Sequence, residues 1–386
     1  MTPRRHPWID GRGRLLGWRP IHSPALSAIP GAPSIASRPT AETPRLERVS
    51  NAIEATRRTI RHRRWLSEAS ALLPGILREH VGRAVVTRPA RRAIGRGGTV
   101  TFVVPDGTGD GLIVKLSRVP AGVASLRRSA SAQRTLRDLD GLGAVREAIP
   151  EVVGDGDLGP WAYLVERRLA GHPLVEVGPG DPRSATLLGA ALDAIDRLHQ
   201  ATLRPVDPAL VAPAWVDARL DGVRELITTG SVRMTDPDTA MGRLDAVGDA
   251  VRAALDGSRG AAWIHGDLWA ANVVVADDGS IRGFVDWDSA GDRESPAHDV
   301  LHLLLYARKL RERRALGDVL VDVLRDGWGP AERALLDPRE PWIADGRTAL
   351  VCYWLRLVEA NLRRQPGLRQ SPVWLDHHVA RVVACL

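Results

Sequence analysis

Three side chains stand at a spacing that suits phosphoryl transfer: Asp267, Asn272 and Asp286. The first two belong to the stretch His265-Gly266-Asp267-Leu268-Trp269-Ala270-Ala271-Asn272, and Asp286 follows fourteen residues after the asparagine, at the end of an apolar run. Moving a phosphoryl group asks little covalent chemistry of a protein. One carboxylate orients the attacking hydroxyl and accepts its proton, the part read here for Asp267. An amide oxygen and a second carboxylate hold Mg²⁺ against the phosphates of ATP, and Asn272 and Asp286 form that pair. His265 is read as hydrogen-bonding support for the loop, with no part in the chemistry. The pattern H-x-D-x-x-x-x-N also arises by chance next to unrelated hairpins. The Val-Asp-Trp-Asp ending at 285–288 argues against chance.

Further candidates surround this centre. Asp288, two residues past Asp286, shares its face if the segment is extended, and would then assist the metal or the substrate; a solvated loop carboxylate is the alternative. Asp299 precedes the apolar run 300–306 and is expected to cap that helix and bind loop amides. Lys115 lies in the strand Leu112–Leu116, from which it would reach the α- and β-phosphates. Of the 53 basic residues only Lys115 and Lys309 are lysine. In a chain that otherwise chooses Arg, a strand lysine invites a chemical reason, because a compact ammonium and a planar guanidinium bind phosphate differently. Gly95, Gly97 and Gly98 form a turn whose backbone amides are expected to approach phosphates. Glu166 to Leu169, Arg168 included, are placed by position as a hinge whose backbone meets adenine. The cluster Arg308, Lys309, Arg311, Arg313 and Arg314 reads as a solvated helix end.

The elements that must hold these residues follow from periodicity. Residues 1–44 carry eight prolines and no apolar period, and are expected to be a disordered arm. Residues 45–83 read as a helical extension, divided in two by Pro74. Ala84-Val85-Val86 and Thr99–Val104 are strands flanking the Gly95-Arg96-Gly97-Gly98 turn, followed by Leu112–Leu116, a helix over 121–139, and strands at Val152-Val153 and Trp161–Val165. The segment 84–170 is thus a small β-rich lobe of five strands and one helix. From 171 to 386 the pattern turns helical, beginning with the amphipathic Ser184–Gln200 and continuing at 241–256, 297–313, 316–325, 345–362 and 374–385. The short strands Val273–Val275 and Ile281–Val285 flank the catalytic loop.

Composition narrows the class. At 386 residues the chain is long enough for two lobes and a sizeable core. No apolar run approaches the ~20 residues of a membrane helix, no secretory h-region follows the basic start, and two cysteines lack metal-site spacing; a cytoplasmic protein is expected. The net charge of +7 is an N-terminal property: residues 1–92 hold 18 Arg and 6 acidic residues, whereas 171–386 hold 25 basic and 31 acidic residues. The Arg-rich N-terminus could contact an acidic partner or peptide. Nucleic acid is disfavoured, because no groove-reading motif accompanies the charge.

These motifs resemble those of the aminoglycoside phosphotransferase and choline kinase superfamily over roughly residues 84–386. His265-Gly266-Asp267 with Asn272, and Val285-Asp286-Trp287-Asp288, resemble its two central motifs; Pro296-Ala297-His298-Asp299 resembles its downstream structural aspartate. Trp269 and Gly291-Asp292-Arg293-Glu294 are similar to the fructosamine-kinase branch. The resemblance implies an α+β, bilobal protein-kinase-like fold: a small antiparallel β-rich N-lobe with one helix and a larger, mostly helical C-lobe, here with an N-terminal extension. In one respect the chain departs from the family. Such kinases pair the strand lysine with a glutamate on the following helix, and the helix 121–139 has none. Gln133 hydrogen-bonding Lys115 without charge, Glu147 reaching in, or an unpaired lysine are the three alternatives.

The expected activity is ATP- and Mg²⁺-dependent phosphorylation of a hydroxyl on a small molecule: an aminoglycoside, another antibiotic or a sugar derivative. Two alternatives stand beside it: a peptide Ser/Thr kinase of natural-product maturation, and a nucleotide-binding pseudokinase scaffold. The mildly acidic helical lobe is compatible with a cationic acceptor.

Overall fold

A computed structural model describes residues 45–81, 89, 91–95, 98–105, 111–254, 260–339 and 346–386. The expected arm 1–44 and the strand expected at 84–86 lie outside them, as does Gly97.

The N-lobe is one antiparallel sheet of five strands, β1 (Arg91–Ile94), β2 (Val100–Val104), β3 (Leu112–Ser117), β4 (Val152–Leu158) and β5 (Trp161–Arg167), in the order β1-β2-β3-β5-β4. The strand that enters the glycine turn is therefore Arg91–Ile94, a polar edge strand with too little apolar alternation to announce itself. Strands β2 and β3 alternate strictly: Val100, Phe102 and Val104, and Leu112, Val114 and Leu116, are all buried on one face. Lys115 sits between Val114 and Leu116, paired in register with Thr101 and Leu164, so the same alternation turns it to the opposite face.

The buried face is closed by α1 (Arg45–Val81), whose Ala69, Leu73, Ile76 and Leu77 pack against Phe102, Leu112, Val114 and Trp161. The helix is continuous through Pro74, contrary to the expected break. Proline removes one backbone hydrogen bond. Here burial of the residues on both sides of Pro74 against one sheet face keeps the axis in place. The other face carries α2 (Pro120–Arg137).

After the two-residue strand β6 (His172–Pro173) the chain is mostly helical: α3 (Ser184–Thr202), α4 (Pro208–Ala212), α5 (Ala218–Thr228) and α6 (Pro237–Ala254). Four short strands then interrupt: β7 (Ala262–Ile264), β8 (Val273–Val275), β9 (Ile281–Phe284) and β10 (Gly291–Glu294). β8 pairs with β6 and β9, while β7 pairs with β10. The remaining helices are α7 (Ala297–Glu312), α8 (Leu316–Asp326), α9 (Pro330–Leu336), α10 (Gly346–Arg364), α11 (Pro372–Leu375) and α12 (Arg381–Cys385). Buried Trp269, Trp287, Tyr353 and Trp354 are among the largest side chains in the cores of this lobe. Among the described residues no helix is long and apolar enough to cross a membrane.

Candidate active site

The loop bearing Asp267 is held by its backbone. Asp299 accepts the amides of His265 at 2.7 Å and Gly266 at 2.8 Å, and His199 Nε2 lies 3.1 Å from the same carboxylate. All three side chains are buried. Burial alone would raise the Asp299 pKa; the hydrogen bond and charge of His199 outweigh it and hold the carboxylate ionised. Asp299 is not the cap of α7, because that position is Pro296; it lies in the first turn with its carboxylate turned to the loop. Gly266 adopts φ +78°, and a Cβ there would stand 2.1 Å from the Ser289 carbonyl oxygen, so only glycine fits.

The same loop is tied to the strand that delivers Asp286. His265 Nε2 lies 2.8 Å from the Val285 carbonyl, and the Val285 amide donates to the Asn272 carbonyl at 2.9 Å. Asn272 Nδ2 donates to the Asp267 carbonyl at 2.9 Å, which leaves Oδ1 as the free donor atom for a cation. Asp286 is left-handed at φ 64°, and its side chain is about half exposed. The set fits Mg²⁺, which uses one or two protein carboxylates and completes its shell with phosphate and water. Among the described residues no group of three or more His, Cys, Asp or Glu side chains could hold a metal on its own.

Trp287–Ser289 forms a 3₁₀ turn, so the segment is not extended and Asp288 does not share the face of Asp286. Its carboxylate instead accepts from Ser125 Oγ at 2.7 Å and Ser289 Oγ at 2.9 Å, and its carbonyl accepts from Arg128 Nε. Asp288 thus fastens α2 of the N-lobe to the catalytic lobe.

Asp267 itself is flanked by His302, whose Nε2 lies 3.3 Å from Oδ1; the Tyr353 hydroxyl lies 3.1 Å from His302 Nδ1. Burial lowers the His302 pKa against the pull of Asp267, so the ring is neutral. With Tyr353 donating to Nδ1, the proton sits on Nε2 and faces the carboxylate. The distance is long for a hydrogen bond, as is common in catalytic pairs without substrate. Burial raises the pKa of Asp267, but the hydrogen bond from His302 and the charge of Arg364 outweigh it, and the net shift is downward. Buried Arg356 reaches from α10 to the carbonyls of Gly266 at 3.2 Å and Ser289 at 3.1 Å, clamping both halves of the site.

Lys115 closes the site from above. Its Nζ lies 2.6 Å from Asp286 Oδ1 and 3.0 Å from Glu166 Oε2. Burial opposes the charge, yet the two carboxylates more than compensate and raise the pKa. Gln133 Nε2 donates to Glu166 Oε1 at 2.5 Å. Gln133 therefore does not bond the lysine, and Glu147 is exposed. The lysine is paired, through a strand glutamate. Chain position assigns Glu166 only a backbone part in a hinge; its side chain points inward and is 3% exposed. Of the rest of that hinge, the Arg168 amide is bonded to the Gly111 carbonyl at 3.1 Å and its guanidinium to the Gly171 carbonyl.

The glycine turn is closed by its own amides: Gly98 N donates to the Gly95 carbonyl at 3.0 Å and Gly95 N to the Thr99 carbonyl at 2.7 Å. Neither amide is aimed at a ligand. Gly98, at φ +77°, instead allows close packing on Trp65 and Val119. Lys309 also departs from expectation. It is buried, with its ammonium 4.6 Å from the centre of the Tyr306 ring, whereas its neighbour Arg308 is half-buried and pairs with Glu312. The sequence carries a signal for it, since it is the second of two lysines.

Sequence reasoning missed His302, Tyr353, Arg356 and the side-chain part of Glu166. The spacing of His298 and His302, four apart on the helix that carries Asp299, is the one visible hint.

A β-lobe bearing a buried lysine, set over a helical lobe bearing the Asp267–Asn272 loop and Asp286, is the architecture of a protein-kinase-like phosphotransferase. The model of the phosphotransferase enzyme family APH matches residues 91–338, and the chain belongs to that family. It is a phosphotransferase. The helix α1 lies before the matched segment. Among solved structures the chain is similar to an aminoglycoside 2'-phosphotransferase-IIIa solved with GDP, at 14% identity and TM-score 0.50, covering 80% of this chain and 95% of that one. It is also similar to an ethanolamine kinase of Plasmodium vivax, at 12% identity and TM-score 0.49 over 80% and 86%. A macrolide 2'-phosphotransferase of Brachybacterium faecium gives 18% identity and TM-score 0.46 over 80% and 98%. No curated protein matches the chain.

Proposed function

We propose that the chain transfers the γ-phosphoryl group of ATP to a hydroxyl of a small molecule. The observation that carries this reading is the wiring of Asp267, Asn272 and Asp286 into one loop system that also meets Lys115. In the reaction an O–P bond forms to the acceptor, the bond from Pγ to the leaving ADP oxygen breaks, and the hydroxyl proton leaves through Asp267 to solvent. Asp267 orients the hydroxyl oxygen toward phosphorus; its low pKa suits orientation and late proton acceptance better than early deprotonation. Lys115, kept charged by Glu166, is positioned to turn from Asp286 to the phosphates. Mg²⁺, held by Asn272 Oδ1 and Asp286, would neutralise phosphate charge.

The pseudokinase alternative depends on a lysine lacking a carboxylate, and Glu166 removes that ground. The peptide-kinase alternative depends on the Arg-rich N-terminal region, of which residues 1–44 lie outside the described residues. The test is ATP turnover across a panel of hydroxylated compounds with Asp267→Asn as control. Turnover that survives at full rate in that variant rejects the assignment.

A further inference from the structure

Helix α2 meets the catalytic centre at two places along one side. In its first half, Ser125 Oγ donates to Asp288 Oδ2 at 2.7 Å and Arg128 Nε donates to the Asp288 carbonyl at 3.1 Å. In its second half, Gln133 Nε2 donates to Glu166, the carboxylate that holds Lys115. Positions 125, 128 and 133 leave a helix on one broad face.

Both contacts end on one ion pair. Asp286 Oδ1 meets Lys115 Nζ at 2.6 Å, and Asp288 follows Asp286 by two residues in the turn Trp287–Ser289. The helix therefore holds the lysine through Glu166 and the aspartate through that turn. The far side of the turn is moored to the C-lobe. Trp287 is buried and donates through Nε1 to the Phe284 carbonyl at 2.8 Å. Ser289 Oγ donates to Asp288 Oδ1 at 2.9 Å, and the Ser289 carbonyl accepts from Arg356, which also reaches Gly266 beside Asp267.

Asp286 itself stands at φ 64°, a left-handed conformation that a non-glycine residue keeps only where its neighbours hold it. On one side Val285 is bonded to Asn272 and His265. On the other, the tie to the N-lobe runs through Asp288. Arg127, next to Arg128, offers a contrast: it pairs with Asp157 of its own lobe at 2.9 Å, and both side chains are exposed.

We propose that Ser125 and Asp288 are positioning residues whose hydrogen bond latches the two lobes. The latch sets the separation of Lys115 from Asp286, and with it how long the cleft retains a nucleoside di- or triphosphate. When it opens, α2 and β3 move with the N-lobe and carry Lys115 from Asp286; when it closes, both groups face the same phosphates. The proposal rests on the phosphotransferase reading and adds the element that regulates nucleotide exchange at that site.

The test is the dissociation rate of ADP bearing a fluorescent methylanthraniloyl label, followed by stopped flow on the full chain with Mg²⁺. Ser125→Ala and Asp288→Ala are each expected to speed release about tenfold, because a hydrogen bond to a charged group is lost. Ser125 and Asp288 are half-buried, so the thermal unfolding midpoint of Ser125→Ala should stay close to that of the wild type. The double variant should release no faster than either single one, since both remove the same bond. Ser125→Thr keeps the hydroxyl and should restore the wild-type rate. Arg127→Gln cuts a tie within the N-lobe only and should leave release unchanged. If Asp288→Ala fails to fold, Ser125→Ala and Ser125→Thr decide the matter between them. Release at the wild-type rate in Ser125→Ala, a Thr variant as fast as the Ala variant, or additive acceleration in the double variant overturns the latch. A wild-type chain that fails to bind the labelled ADP sinks the phosphotransferase reading instead, and the two failures are distinguishable.

Discussion

Glu166 Oε2 stands 3.0 Å from Lys115 Nζ, and Gln133 Nε2 stands 2.5 Å from the other oxygen of the same carboxylate. The carboxylate expected on the helix after β3 is on strand β5, and the helix contributes the amide that holds it. The ion pair is displaced by one layer, with its charge balance intact.

A pair of substitutions tests this arrangement. Glu166→Gln is expected to raise the KM for ATP about tenfold, because the lysine loses its stationary partner and keeps only Asp286. Gln133→Glu restores the family pattern but should also impair nucleotide binding, since it sets two carboxylates against each other in a buried site. The double swap, Gln133→Glu with Glu166→Gln, should recover most of the loss. Steady-state kinetics read as a double-mutant cycle decide it; additive defects would show that the two positions do not exchange roles.

Gly266 carries a second prediction. Its φ of +78° leaves no room for alanine, whose Cβ would approach the Ser289 carbonyl oxygen to 2.1 Å. Gly266→Ala is expected to destabilise the protein by about 2 kcal/mol or more and to lower kcat about a hundredfold, because the loop aims Asp267. Denaturant unfolding and turnover measured on the same sample check both effects.

A third prediction concerns the neutral imidazole beside the catalytic carboxylate. His302→Phe should lower kcat about tenfold with little change in the KM for ATP, since the ring faces the carboxylate that orients the acceptor hydroxyl. Tyr353→Phe removes the hydroxyl that fixes the His302 tautomer and should show a smaller defect of the same kind. His302→Gln, which can still donate to Asp267, should recover part of kcat. If it behaves like the Phe variant, the role is packing alone.

The chemistry is largely legible before the fold, and for a physical reason. Asp267, Asn272 and Asp286 act through short-range spacing within one loop and one hairpin, and sequence records such spacing directly. The alternation of β2 and β3 likewise exposes Lys115. What sequence hides is whatever depends on distant packing. Glu166 lies on a strand whose pairing register decides whether its side chain turns in or out. His302 and Arg356 meet the loop only after α7 and α10 have packed. Pro74 reads as a break when the local hydrogen bond alone is weighed, and burial of its neighbours overrides it.

Lys309 provides the last prediction, on stability. Burial lowers its pKa to about 7 against the weaker pull of Asp267; the ammonium also packs over the Tyr306 ring and acts as a charge on His378, itself pushed down to about 4 mainly by burial. In the unfolded chain the same ammonium titrates near ~10.4. Between those two values the unfolded state therefore binds more protons than the folded state, and unfolding free energy must rise with pH across that window. Below pH ~7 both states are protonated and the cost of burying the charge is fully present. Lys309→Met removes the group, so the variant should be the more stable protein at pH 7, by about 2 kcal/mol or more. The gap should shrink by at most about 1.4 kcal/mol per pH unit as pH rises toward 9. Urea unfolding of both proteins at pH 6, 7, 8 and 9 measures it. A gap that stays flat or widens would mean that Lys309 keeps its proton in the folded state, held by an ionic partner within the lobe.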